Sequence, residues 1–126
     1  MEIAHPYLIF LGDVPDALAA KTGLGIVDWR RDWCLGQLRL DGCKADAKLP
    51  EMTPAEAAAA GVKTMVVGCV NAGGVLPDHW VASIVAALDA GLDVASGLHM
   101  RLGDVPEIAA AAERNGRHLR DVRHSD

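Results

Sequence analysis

A strand with no polar face constrains this chain most. Thr64-Met65-Val66-Val67 runs without a charged residue into Gly68-Cys69-Val70-Asn71-Ala72-Gly73-Gly74, and Pro77-Asp78 then open an apolar helix that closes at Gly91. A strand that is apolar on both sides must be covered on both sides. Parallel sheets flanked by helices meet that demand, whereas half-solvated antiparallel sheets do not. In such open sheets, ligands sit beyond the carboxyl ends of the strands. Two adjacent glycines there let the backbone approach a ligand that a Cβ would repel. The loop is the first candidate site, and a tight strand-to-helix turn without a ligand is the competing reading.

The rest of the chain repeats the alternation. Pro6 to Leu11 reads as the first strand, ahead of Gly12-Asp13. A helix follows between Asp16 and Arg31, its start left open by Gly23 and Gly25, each of which costs about 1 kcal/mol relative to Ala in a helix interior. Cys34 to Leu40 alternates as a second strand closed by Asp41-Gly42, and residues 44–52 leave room for a short edge strand from Lys48 to Met52. Thr53-Pro54-Ala55-Glu56 combines an N-cap, a first-turn proline and a capping-box acid, so a helix runs from there to Ala60 and closes at Gly61. The central strand spans 64–70.

From Asp78 to Ala90, Val81, Ile84, Val85 and Leu88 recur at helical spacing as a stripe facing the sheet. Leu92 to Ser96 is the next strand and leads into Gly97-Leu98-His99-Met100. A last helix starts at Asp104-Val105-Pro106-Glu107 and stops at Gly116, before a final strand from His118 to Val122. These elements predict a single α/β domain over residues 1–126: a Rossmann-like, doubly wound, mainly parallel sheet of five or six strands in the order 3-2-1-4-5-6. In that order Gly12-Asp13 and Asn71-Ala72-Gly73-Gly74 face each other across one crevice, with His99 beside them.

Composition narrows the function. The net charge of −5 leaves no basic stripe to displace counterions, which argues against nucleic acid as a partner. Arg117, Arg120 and Arg123 alternate along the final strand as a solvated face. No apolar run approaches the roughly 18 residues needed to cross a bilayer, and the first residues lack the basic start of a signal peptide. Cys34, Cys43 and Cys69 are odd in number and show no CxxC spacing, so reduced thiols in a cytoplasmic protein are expected. The histidines have no ligand spacing, and no metal is predicted.

Dinucleotide binding is the first chemistry to test for this architecture. Its G-x-G-x-x-G turn must bring backbone amides to a pyrophosphate. Here the turn after strand 1 reads Gly12-Asp13-Val14-Pro15, with one glycine, a carboxylate that repels anions and a proline without an amide donor. No Walker loop occurs in the chain. Ser96 and His99 sit three apart on a strand exit, where they suit carboxylate binding or proton transfer, although a surface histidine is the blander reading. His79, beside Asp78 at a helix start, reads as structural. Trp29, Trp33 and Trp80 read as amphipathic covers at the domain edge or a partner surface.

Several stretches together carry a resemblance: Ala20-Lys21-Thr22-Gly23, Gly68 to Gly74, Leu88 to His99 and Asp121-Val122-Arg123. The chain resembles, over essentially its whole length, the N-terminal Rossmann-like domain of a two-domain family long catalogued as of unknown function. Some members of that family are described as D-glutamate N-acetyltransferases. The Asn-Ala-Gly-Gly and Ser-Gly-Leu-His segments are the most specific parts of the match. The resemblance implies acetyl transfer from acetyl-CoA to the amino group of D-glutamate by the full-length protein. It also implies a C-terminal P-loop domain that grips the donor, beginning after the region matching Arg123-His124, and a chain that is a fragment inactive alone.

That chemistry needs a deprotonated amine, a polarised thioester carbonyl and a grip on the carboxylates of glutamate. His99 and Asp13 are the candidate catalytic residues. Asn71, Ala72, Gly73, Gly74, Ser96 and Gly97 are the candidate substrate-binding residues. The rival reading is a nucleotide- or CoA-binding regulatory or architectural domain coupled to a P-loop NTPase, and homo-oligomerisation is compatible with either.

Overall fold

Five parallel β-strands form one sheet among the residues that this computed structural model describes, 3–69, 76–96 and 102–121. In chain order the elements are β1 (Tyr7–Gly12), α1 (Lys21–Trp29), β2 (Cys34–Arg39), α2 (Pro54–Ala59), β3 (Thr64–Val67), α3 (Asp78–Asp89), β4 (Asp93–Ser96), α4 (Pro106–Asn115) and β5 (Leu119–Asp121). The sheet order is β2-β1-β3-β4-β5, every pair parallel. The expected doubly wound architecture is observed. A third strand beside β2 is reduced to one bridge, Gln37 to Glu51, so the stretch from Lys48 to Met52 keeps its expected place without becoming a strand.

The reason lies in the side chain of Gln37, which is buried in the loop rather than pointing at solvent. Its Nε2 lies 2.9 Å from Asp46 Oδ1 and Leu49 O and 2.8 Å from Glu51 Oε2, sharing its two hydrogens among the three acceptors, while its Oε1 accepts from Ala47 N at 2.8 Å. Arg39 Nε adds a 2.8 Å ion pair to Glu51. One amide thus organises residues 45–51 as a polar clamp, and side-chain bonds replace most of a strand ladder.

Helix boundaries follow local chemistry. Thr53 accepts from Glu56 N at 3.1 Å and Glu56 Oε1 accepts from Thr53 N at 2.9 Å, the reciprocal capping box expected from the sequence. Such a cap contributes about 1 kcal/mol. Gly116 closes α4 at φ 62°, a left-handed conformation natural for glycine.

The start of α1 is fixed by close approach. Gly23 N donates to Gly68 O at 2.8 Å, so an orphan amide of the first helical turn is satisfied by the end of β3. A Cβ on Gly23 would stand 2.9 Å from that same oxygen. The glycine that makes the helix start ambiguous in sequence is therefore the residue that seats the helix.

Right-handed connections sort the helices between the two faces. The β1-to-β2 connection runs one way across the sheet and carries α1; the remaining connections run the other way and carry α2, α3 and α4. Ile9 meets Gly23 on the α1 face, and Phe10, next along β1, meets Trp80 of α3 edge to face at 5.6 Å on the opposite one. Trp80 corrects an expectation: it is fully buried in the core and not a cover at the domain edge. Trp29 stays on the surface, 79% exposed. Among the described residues, no helix is long and apolar enough to cross a membrane.

Candidate active site

β1 and β3 lie side by side at the centre of the sheet, and their connections leave in opposite directions. Their carboxyl ends therefore bound the switch-point crevice where open α/β sheets place ligands. Gly12 and Asp13 form one lip. The other begins at Gly68-Cys69, and the N-terminus of α3 reaches back across the opening.

Asp13 is held from two sides. Trp80 Nε1 donates to its Oδ1 at 2.8 Å, and His79 Nε2 lies 2.8 Å from its Oδ2. Gly12 makes this possible, because it sits at φ 59° and a Cβ there would come within 2.6 Å of the Trp80 ring. The Trp80 hydrogen bond, with smaller help from His79, holds the Asp13 carboxyl below the usual carboxylate range. An ionised carboxylate only accepts hydrogen bonds, so His79 Nε2 carries the hydrogen that faces Asp13, and the neutral form of the ring has its lone pair on Nδ1. The His79 side chain is 55% exposed and that of Asp13 35%. The arrangement is an oriented imidazole at the mouth of the crevice, anchored through a carboxylate to a buried indole.

The contact between His79 and Asp13 was not visible in the sequence, where His79 reads as structural. Its neighbour Asp78 suggested a helix-start role, and no spacing rule connects position 79 to Asp13, which is 66 residues away. Only the pairing of β1 with β3 brings the two together.

Ser96 ends β4, is buried, and pairs in register with Val67 at the end of β3. The roots of the two expected loops are thus neighbours at one edge of the sheet. Asn71, Ala72, Gly73, Gly74, Gly97 and His99 lie outside the described residues. Cys69, two residues beyond β3, is a buried free thiol whose burial pushes its pKa well up, which keeps it protonated and a poor nucleophile. No group of three metal-ligating side chains occurs among the described residues.

Residues 38–125 match a family described as a domain of unknown function, DUF1611_N, a Rossmann-like domain. The chain belongs to this family. Two relatives named D-glutamate N-acetyltransferase align with almost all of it: one from Tritonibacter scottomollicae at 54% identity over 96% of the chain, and one from a Pseudoalteromonas species at 38% over 98%. The chain spans only 36% and 37% of the length of those relatives. The fold of the DUF1611_N chain is also that of a solved DUF1611 family protein from Anabaena variabilis, with a TM-score of 0.73 at 22% identity over 95% of this chain and 37% of that one. A Staphylococcus aureus homoserine dehydrogenase shares the fold more distantly, with a TM-score of 0.55 at 13% identity over 92% of this chain and 32% of that one.

Proposed function

We propose that this chain is the N-terminal domain of an enzyme that transfers an acetyl group from acetyl-CoA to the amino group of D-glutamate. The observation that carries the reading is the 54% identity, over 96% of the chain, to a protein named for that activity. In the full-length protein a C-terminal P-loop domain would grip the donor, and this domain would supply the crevice that receives the amino acid in a cytoplasmic enzyme of amino-acid catabolism.

Amide formation removes a proton from the amine as its nitrogen attacks the thioester carbonyl. The carbon–sulfur bond then breaks and CoA leaves as a thiol. The amine needs a proton acceptor, and a carboxylate held below its usual range, with both oxygens already accepting hydrogen bonds, is a weak one. His79 takes this role through Nδ1. Asp13, a candidate catalytic residue from the sequence, acts in this reading by fixing the tautomer of His79. Gly73 and Gly74 amides polarise the thioester oxygen, and Asn71, Ala72, Ser96, Gly97 and His99 complete the grip on substrate.

The test is direct. Full-length protein incubated with acetyl-CoA and D-glutamate should release free CoA and form N-acetyl-D-glutamate, read by thiol titration and mass spectrometry. An intact, folded enzyme that leaves D-glutamate unmodified sinks the assignment. His79→Gln separates the second claim from the first, since it should remove the basic imidazole while substrate specificity remains.

A further inference from the structure

The contact between His79 and Asp13 does not hold its own geometry. An aspartate carboxylate turns about a broad, roughly two-fold torsion. The His79 side chain stands on the surface, and exposed ion pairs contribute only about 0–1 kcal/mol. Gripped at Oδ2 alone, the carboxylate would swing between the imidazole and water. The second grip, on Oδ1, fixes its plane.

That second grip comes from the core. Trp80 is fully buried, with its ring set edge to face against Phe10. The ring edge that carries Nε1 packs against the bare backbone of Gly12, where a Cβ would stand 2.8 Å from that nitrogen. The indole therefore lies beside the chain that leads into Asp13. An indole nitrogen only donates, so its bond to Oδ1 cannot exchange roles. His79 and Trp80 are successive residues in the first turn of α3, and successive helical side chains diverge by about 100°. One turns to solvent and the other to the core, and the Asp13 carboxylate spans that divergence with one oxygen to each.

We infer that Trp80 is a positioning residue for the acetyl-transfer step: its buried N–H fixes the plane of the Asp13 carboxylate and thereby the orientation of the His79 ring at the mouth of the crevice. The inference rests on the proposed role of His79 as proton acceptor. The same bond is the main cause that holds the Asp13 carboxyl below its usual range, so the anchor stays ionised and accepting. Rates depend steeply on such geometry, since a misplacement of about 1 Å can cost about a hundredfold.

Trp80→Phe would remove the donor but also leave a void in the core. The informative variant is Trp80→benzothienylalanine in the full-length protein, where a sulfur replaces the N–H in a ring of nearly the same shape. The Asp13 carboxyl, followed by carbon NMR and identified with Asp13→Asn, should titrate closer to its ordinary value of 3.8 in this variant than in the unmutated protein. With acetyl-CoA and D-glutamate, kcat should fall about tenfold while both KM values stay within about twofold. Combined with His79→Gln, the variant should be no slower than His79→Gln alone, because Trp80 acts through His79. A merely structural contribution would multiply with the loss at His79. An unshifted Asp13 titration, an unchanged kcat or losses that multiply overturn the proposal. Failure of the acetyl-transfer reading looks different: unmutated enzyme that leaves D-glutamate unmodified, while the Asp13 titration still shifts in the variant, sinks that reading and upholds the anchor.

Discussion

Two polar clusters serve the first two strands of this fold, and they differ in what they leave unused. Around Gln37, both the donor and acceptor atoms of a buried amide are spent on Asp46, Ala47, Leu49 and Glu51. Around Asp13, both carboxylate oxygens are likewise occupied, by Trp80 and His79, yet the His79 ring is 55% exposed and keeps Nδ1 free of that cluster. The first cluster is closed and shapes a loop. The second is anchored at one end and open at the other, which is the arrangement a ligand-facing group requires. Hydrogen-bond density alone does not mark a site; an oriented group with capacity left over does.

The largest effect should come from the open cluster and should appear in turnover. His79→Gln in the full-length enzyme should lower kcat by about 10²–10⁴, the range for loss of a general base. It should leave the melting temperature within about 2 °C, since the side chain is a surface one. Asp13→Asn should follow with a smaller loss in kcat. Its amide oxygen would still accept from Trp80, but its NH₂ would donate to His79 Nε2 and drive the hydrogen onto Nδ1, the wrong tautomer. A kcat for His79→Gln within twofold of that of the unmutated enzyme would remove His79 from the mechanism.

The closed cluster should respond in stability instead. Gln37→Ala strips partners from Asp46, Glu51, Leu49 O and Ala47 N at once. With the buried Ala47 amide and the half-buried Leu49 carbonyl left unpaired, a loss of about 2 kcal/mol is expected in urea unfolding. The kcat of whatever fraction remains folded should change less than twofold. If Gln37→Ala costs under about 0.5 kcal/mol, the range of an ordinary surface substitution, the clamp is decorative and the contrast between the clusters fails.

These two clusters also divide what could be read from sequence. Elements defined by local rules were legible. The Thr53–Glu56 capping box, the Val81/Ile84/Leu88 stripe and the glycine stops after α3 and α4 occur where propensity and spacing put them. Partnerships set by the sheet were not. Nothing near Gln37 announces that one amide will replace a strand ladder, because its partners arrive from a loop 9–14 residues away. Trp80 looked like a cover because an indole is amphipathic, but the Asp13 carboxylate satisfies its Nε1–H and lets the ring sit in the core. The seating of Gly23 on Gly68 was equally hidden, although both glycines were conspicuous. Of the expected site, Asp13 lies in the crevice and Ser96 at the end of a strand adjoining it, and the strand roots of both loops are paired.

The smallest effect discriminates between the clusters by acid titration. The hydrogen bond from Gln37 Nε2 and the backbone amide of Lys48 at 2.8 Å hold the Asp46 carboxyl at about 2, against an ordinary value of 3.8. A carboxyl whose pKa is depressed on folding contributes stability that is fully present above its unfolded value and is lost as pH falls through the folded one. For Asp46 that window lies between 3.8 and about 2. Asp46→Asn removes the contribution, so the gap in unfolding free energy between the variant and the unmutated chain should be greatest near pH 6 and shrink steadily toward pH 2. Because Asp46 is solvent-accessible, solvent and salt screen the charge, and the effect should diminish further at high ionic strength. His79→Gln, measured in parallel, should leave the Asp46 window untouched, because the two clusters share no hydrogen-bond partner. A gap that stays constant from pH 6 to pH 2 would mean that Asp46 serves the clamp only as a hydrogen-bond acceptor, a part that an asparagine oxygen plays equally well, and that its charge contributes nothing to the fold.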